Sequence, residues 1–179
     1  MNYKKITILS IFLVFIFSFI YHNIYVYFPN TLTSFLFPVN ESIFEHLKLI
    51  YLSYISSAII EYILINKNKL NKTNFKTSII FSIVFNIIIF LIVYTIIYIH
   101  IGYNTPITLI TYFISITITK FLSYKILTSK NNYSYFNKYF YLILILIFII
   151  FIFFTYNPPK NILFIDYQGK KLGLNNYYI

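Results

Sequence analysis

The sequence predicts an all-α fold, a single integral membrane bundle of about five transmembrane helices. Three observations predict it. Only 10% of the 179 residues are charged and 59% are hydrophobic, with a mean hydropathy of +0.76. A soluble domain carries about 25% charged residues, so this chain lacks the polar surface to coat a globule in water. Its apolar runs are long enough to span lipid, which takes roughly 20 residues per helix. The lysines fall between those runs, where the positive-inside rule places them.

The net charge of +10 comes entirely from lysine, with no arginine. That distribution points to a lipid bilayer as the partner and away from nucleic acid. Lysine without arginine, with abundant Ile, Asn, Phe and Tyr, is also the composition of an AT-rich coding genome. Cysteine is absent, which excludes disulfides, thiolate metal sites and a cysteine nucleophile.

Taken in order, Met1 to Lys5 is a short basic start. The first apolar run, about 6–28, is too long for a signal-peptide core and no small-residue cleavage site follows, so it reads as a retained helix. Pro29 and Asn30 stop it. Thr31 to Val39 is a short apolar connection, a sixth element if it re-enters the membrane. The second helix covers about 44–65, beginning near Asn40 to Ser42. A polar loop with Lys67, Lys69, Lys72 and Lys76 follows. The third helix covers 77–101. Gly102 to Pro106 is a tight turn, with Pro106 tolerated at the start of the next helix. The fourth helix covers 107–127 and the fifth 139–156, separated by the polar stretch Ser129 to Lys138. Asn157, Pro158 and Pro159 end the fifth. The tail, 160–179, has no helical period and is placed at the interface. No repeat and no second domain are visible.

Lysine counting orients the bundle. The N-terminus, the loop after the second helix and the region from Lys120 to Lys138 are basic. The other two connections carry no lysine. Five spans with the N-terminus in the cytoplasm and the tail outside satisfy this pattern in a cell membrane. The tail's own Lys160, Lys170 and Lys171 run against it.

The topology gathers ionisable groups at the outer face. His22 ends the first helix, Glu41, Glu45 and His46 begin the second, and His100 ends the third. Asp166 follows the fifth, and Glu61 is the inner exception. On a helix, Glu41, Glu45 and Lys48 share a face, and His46 points about 100° from Glu45, on the side of Ser53, Ser57 and Glu61. A helix polar on two sides belongs inside the bundle.

Two readings of this cluster stay open. In one, Ser42 and Glu45 form a capping box, the carboxylates complement the helix dipole and Glu45 pairs with Lys48. In the other, His22, His46 and His100 with a carboxylate hold zinc with one position open to water. Glu41, Glu45 and His46 are then the catalytic candidates, with a second carboxylate as general base. No histidine pair has the local spacing of a known zinc motif. No glycine-rich phosphate loop exists, glycine occurring three times.

The stretch Pro38 to Lys48, PVNESIFEHLK, resembles the PVNESxWEHLK signature of an uncharacterised family of small bacterial multi-pass membrane proteins, a domain of unknown function. Phe44 stands where the signature has tryptophan. His22 and Tyr25 match a histidine and tyrosine late in the family's first helix. Lys120 to Tyr124 resembles its fourth helix, and Thr155 to Pro159 with Leu163, Phe164 and Asp166 its closing stretch. The resemblance implies a multi-pass membrane protein and no activity. It marks Asn40, Glu41, Glu45, His46 and Lys48 as the positions to test first, with Asn40, Ser42 and Lys48 as the structural part of the motif.

The function expected is a multi-pass membrane protein with an outward-facing polar pocket around Asn40 to Lys48. Three narrower alternatives follow: a membrane-embedded metal-dependent hydrolase of lipid-like substrates, a small transporter or permease component, and a non-catalytic membrane subunit. A transporter with so few helices and no inverted repeat would have to be a homo-oligomer, and a subunit would need a membrane partner. The topology carries its own prediction. A reporter fused after Ile179 should be active outside the cytoplasm, and cytoplasmic activity would exclude five spans.

Overall fold

The computed structural model describes residues 1–166, 168, 169 and 171–176. The described elements are α1 (Tyr3–His22), α2 (Ile24–Tyr27), α3 (Thr31–Leu36), α4 (Ile43–Lys67), α5 (Phe75–Ile101) and α6 (Thr105–Leu127). A 3₁₀ turn (Ser134–Tyr139) leads into α7 (Phe140–Tyr156), and three two-residue strands follow, β1 (Ile165–Asp166), β2 (Lys171–Leu172) and β3 (Asn175–Asn176). Five segments are long and apolar enough to cross a membrane: Tyr3–Tyr27, Ile43–Lys67, Phe75–Ile101, Thr105–Leu127 and Ser134–Tyr156.

Local chemistry sets the boundaries. Asn2 caps α1, its side-chain oxygen accepting from Lys5 N at 3.0 Å. The first apolar run is not one helix. Asn23, at φ −105° and ψ 3°, leaves the helical region and divides α1 from the short α2. Asn30 and Thr33 form a reciprocal capping box that starts α3. Ser42 caps α4. Gly102, at φ +77°, ends α5 in a conformation that L side chains rarely adopt. Asn104 then caps α6, with Pro106 in its first turn.

Helices α1, α4, α5 and α6 pack around one another, and α7 lies outside this group against α4 and α5. Helix α4 is the most enclosed, and Ile50, Tyr54 and Ile65 on it are fully buried with Val14, Ile83 and Ile116 from its neighbours. Bulky side chains such as Phe12, Ile16, Ile96, Ile114 and Phe153 are more than half exposed. Lipid accommodates such an outer surface, whereas water penalises it.

The tail, which shows no helical period in the sequence, forms a small antiparallel sheet in the order β1-β2-β3. It folds back over the start of α4. Phe44 N donates to Leu163 O at 2.8 Å, and the Phe44 ring stacks on Phe164 at 4.5 Å between centroids. Gly173 makes the closest approach. Its φ is +58°, and a Cβ there would stand 2.4 Å from Thr155 O and 2.9 Å from Pro158 Cγ. Gly173→Ala should therefore destabilise the protein by more than the roughly 1–2 kcal/mol of a left-handed backbone alone. Thermal unfolding of the full chain in detergent measures this, and an unchanged midpoint would mean that the tail does not dock.

Candidate functional site

The site is built on the link between α3 and α4. Ser42, at φ −70° and ψ 154°, is extended, and its hydroxyl accepts from Glu45 N at 3.3 Å. The chain therefore enters the helix only at Ile43, and Glu41 lies outside the helical period. The shared face expected for Glu41, Glu45 and Lys48 does not form. Glu41 turns to one side of α4 and Glu45 to the other.

Glu45 is half of a buried clamp. Its Oε2 lies 2.8 Å from Lys48 Nζ and accepts from Val39 N at 3.0 Å, and its Oε1 accepts from Thr155 Oγ1 at 2.7 Å. Lys48 Nζ also donates to Ser34 O at 2.8 Å. Both side chains are essentially inaccessible. The capping box is thus half formed, since Ser42 caps while Glu45 reaches Val39 N. Ser42 N instead donates to Asn40 Oδ1 at 2.9 Å, and Asn40 Nδ2 donates to Gly173 O at 2.8 Å. With every oxygen engaged and a lysine alongside, Glu45 is poorly placed to act as a general base.

Glu41, His22 and His46 meet on the opposite side. Glu41 Oε2 lies 3.5 Å from His22 Nε2 and 3.4 Å from His46 Nε2. The rings of His22 and His46 are 5.3 Å apart. The Glu41 backbone is held by its N–H, which donates to Asp166 Oδ2 at 3.2 Å. Asp166 also accepts from Gln168 N and Gly169 N, so its carboxylate pins the tail to the motif. His46 Nδ1 donates to Ser42 O at 2.8 Å, and His22 Nδ1 lies 3.3 Å from Asn23 Oδ1. In both rings the δ nitrogen faces an oxygen acceptor and the ε nitrogen faces the same carboxylate oxygen. Hydrogen bonds from the His22 and His46 imidazoles hold the Glu41 carboxyl well below the usual carboxylate range.

His100 is exposed at the end of α5 and outside this group. Among the described residues, His22, Glu41 and His46 alone form a group of three possible ligands with their ligand atoms within 4.8 Å of one another. Of the expected three imidazoles and a carboxylate, two imidazoles and the carboxylate come together and the third imidazole does not.

A pocket of about 80 Å³ opens beside the two histidines. Its walls include Phe19, Leu49, Ile50 and Phe90, and its polar lining includes Ser18 and Tyr112. The Tyr112 hydroxyl is buried beside the hydroxyls of Ser18 and Ser53.

A second charged pair lies deeper. Glu61 Oε1 is 2.5 Å from Lys120 Nζ and accepts from Ser10 Oγ at 2.6 Å and Ser57 Oγ at 3.2 Å. The Lys120 ammonium sits 4.7 Å from the centre of the Tyr54 ring. The Tyr54 hydroxyl joins Thr119 and Asn86 in a buried network. Sequence reasoning assigned Lys120 to the basic inner region and missed its pairing with Glu61. The available signal was a lysine seven residues before the end of its helix, two turns inside the segment. Thr155, which holds Glu45, was visible only as part of the stretch TYNPP.

The fold and this cluster define a class: a helical bundle with five helices apolar enough to cross a membrane and a His-Glu-His group at one end. Within that class, the chain belongs to a family of unknown function, DUF6512, whose model matches residues 1–174. No curated protein and no solved structure matches it.

The clamp makes a sharp prediction. Removing one partner of a buried ion pair typically costs about 3–5 kcal/mol, whereas replacing both with apolar groups is often neutral. Lys48→Met should unfold at markedly lower temperature in detergent, and Glu45→Leu combined with Lys48→Met should recover most of the loss. A double variant as unstable as the sum of the two singles would show that the charges do not act as a unit.

Proposed function

We propose that the protein is a multi-pass protein of the cell membrane, with the N-terminus in the cytoplasm, whose outer face carries a metal-dependent hydrolytic site for a lipid-like substrate. His22, Glu41 and His46 are the ligands in this reading, and zinc is the ion that suits them. One observation carries it: both imidazoles turn Nε2 toward a single Glu41 oxygen while Nδ1 faces an oxygen acceptor.

Two features favour an ion there over a plain ion-paired cluster. A metal-ligating histidine almost always donates its other ring N–H to a carbonyl, carboxylate or water, which fixes the tautomer. His46 does so through Ser42 O. The spacing also fits. The Glu41 oxygen stands 3.5 and 3.4 Å from the two Nε2 atoms. Tetrahedral bonds of about 2.0–2.1 Å place neighbouring ligand atoms roughly 3.3–3.4 Å apart.

His22, Glu41 and His46 would hold the ion with three protein ligands, the number typical of hydrolytic rather than structural sites. An ion of this class supplies Lewis acidity and a bound water acidic near neutral pH. The chain's own groups do the rest. The apolar pocket walls receive a hydrocarbon portion. Glu45 and Lys48 set the direction of α4 and so the position of His46.

The test is the metal content of the full chain purified in detergent after exposure to zinc. The expected result is close to one equivalent, lost in His46→Ala and Glu41→Gln and kept in His100→Ala. A Co(II)-loaded sample should show tetrahedral d–d absorption, and metal-dependent cleavage of lipid ester or phosphodiester analogues should follow the same variants. Absence of bound metal would sink the proposal. Retained metal without hydrolysis would leave a metal site and remove the enzyme.

A further inference from the structure

A groove at the opposite end of the bundle concerns a different partner. It runs between α4, α5 and α7, has a volume of about 550 Å³, and lies far along α4 from the His-Glu-His group. Ile55, Ala58 and Ile59 of α4, Ile79 of α5 and Leu144 of α7 line its apolar part. Its polar end is formed where α4 finishes and α5 and α7 begin. There Lys76 Nζ sits 4.7 Å from the centre of the Tyr141 ring and 5.7 Å from that of Phe140. Tyr62 stands on the other side, with Lys72 Nζ 3.3 Å from its hydroxyl.

Charge accounting at this end is one-sided. The four side-chain carboxylates of the whole sequence are Glu41, Glu45, Glu61 and Asp166. Glu41, Glu45 and Asp166 lie at the far end, and Glu61 is committed to Lys120. The N-terminus, the loop 66–76 and the segment 126–137 all meet here, through Tyr3 to Asn71 O, Asn74 to Ile126 O and Thr77 to Asn137. Their lysines therefore converge with no side-chain carboxylate to neutralise them. Lys76 and Lys72 rest on aromatic faces and neutral oxygens instead.

The groove has the polarity of one lipid. Ammonium and phenol groups crown it, and aliphatic side chains line it downward. From Ile63 to Ile55 the α4 wall extends about 12 Å at 1.5 Å per residue, close to the roughly 15 Å of one leaflet's hydrocarbon. Basic pockets between membrane helices on the cytoplasmic side suit anionic headgroups. We infer that the α4-α5-α7 groove is a binding site for an anionic phospholipid, its phosphate at Lys76 and Lys72 and one acyl chain along Ala58, Ile79 and Leu144. This inference stands apart from the proposed hydrolytic site and shares no residue with it.

Native mass spectrometry of the full chain in detergent tests it, with phosphatidylglycerol, phosphatidylcholine and soluble glycerol phosphate as probes. Phosphatidylglycerol should bind about tenfold more tightly than phosphatidylcholine, and glycerol phosphate hardly at all. Lys76→Gln should weaken phosphatidylglycerol about fivefold. Lys138→Gln, at the same end but off the groove, should change it less than twofold. Equal binding of the two lipids in the wild-type chain overturns the inference. So does equal binding of glycerol phosphate, or a Lys138→Gln effect as large as that of Lys76→Gln, which would indicate a diffuse basic surface.

Discussion

The buried pair of Glu45 and Lys48 is the constraint on which the outer end depends. Two charges removed from water are costly, and they persist only where hydrogen bonds satisfy their remaining atoms. Here the partners come from separate parts of the chain: Ser34 O at the end of α3, Val39 N in the link, and Thr155 Oγ1 at the end of α7. Each partner fixes one segment against the first turn of α4. Because Val39 N is held, the link cannot extend the helix backward, and Ser42 becomes the cap. Because Ser42 is the cap, Glu41 falls outside the helix and can face His22 and His46. The reactive-looking geometry of Glu41 thus follows from the satisfied geometry of Glu45.

The same logic explains why the tail belongs to the fold. Asp166 holds Glu41 N, Gly173 O holds Asn40 Nδ2, and Gly173 lies on the Thr155 carbonyl. Without the tail, the Glu41 N–H would lose its hydrogen-bond partner. The small sheet is short, yet its contacts reach the residues that position the site. Helix α7 then connects the two ends, with Thr155 at the Glu45 clamp and Phe140 beside Lys76. Its start and finish lie at opposite ends of the bundle, as a full crossing requires.

The elements of the fold were largely legible in the sequence because apolar length and lysine placement are strong signals. Ser42 and Asn104 announced helix starts, and the one-sided distribution of histidines announced a polar end. His22 and His46 come together as the topology implied. What the sequence could not give was rotation. Helices that are apolar on every side carry no stripe to say which face turns inward. His100 therefore looked equivalent to His22 but is exposed at the end of its own helix. Glu61 and Lys120 are 59 residues apart and meet because α4 and α6 both pack against α1 and α5, an arrangement that no local pattern encodes. Glu41 was misplaced because a residue just before a cap does not follow the helical period.

One short stretch consequently carries two unlike tasks, and this limits what loss-of-function alone can reveal. Replacing Glu45 or Lys48 leaves a buried charge without its partner, so any activity lost would be lost through the fold. Glu41 and His22 differ. Their side chains are 35% and 31% exposed, and their removal strands no buried charge. His22 is the most informative of all, because it lies on α1, outside the motif and outside the clamp. If the cluster were only a decoration of the α4 cap, nothing would require an imidazole from α1 to reach the same oxygen of Glu41 that His46 faces. The convergence of imidazoles from two helices on a single oxygen of Glu41, beside a pocket, is what capping alone leaves unexplained.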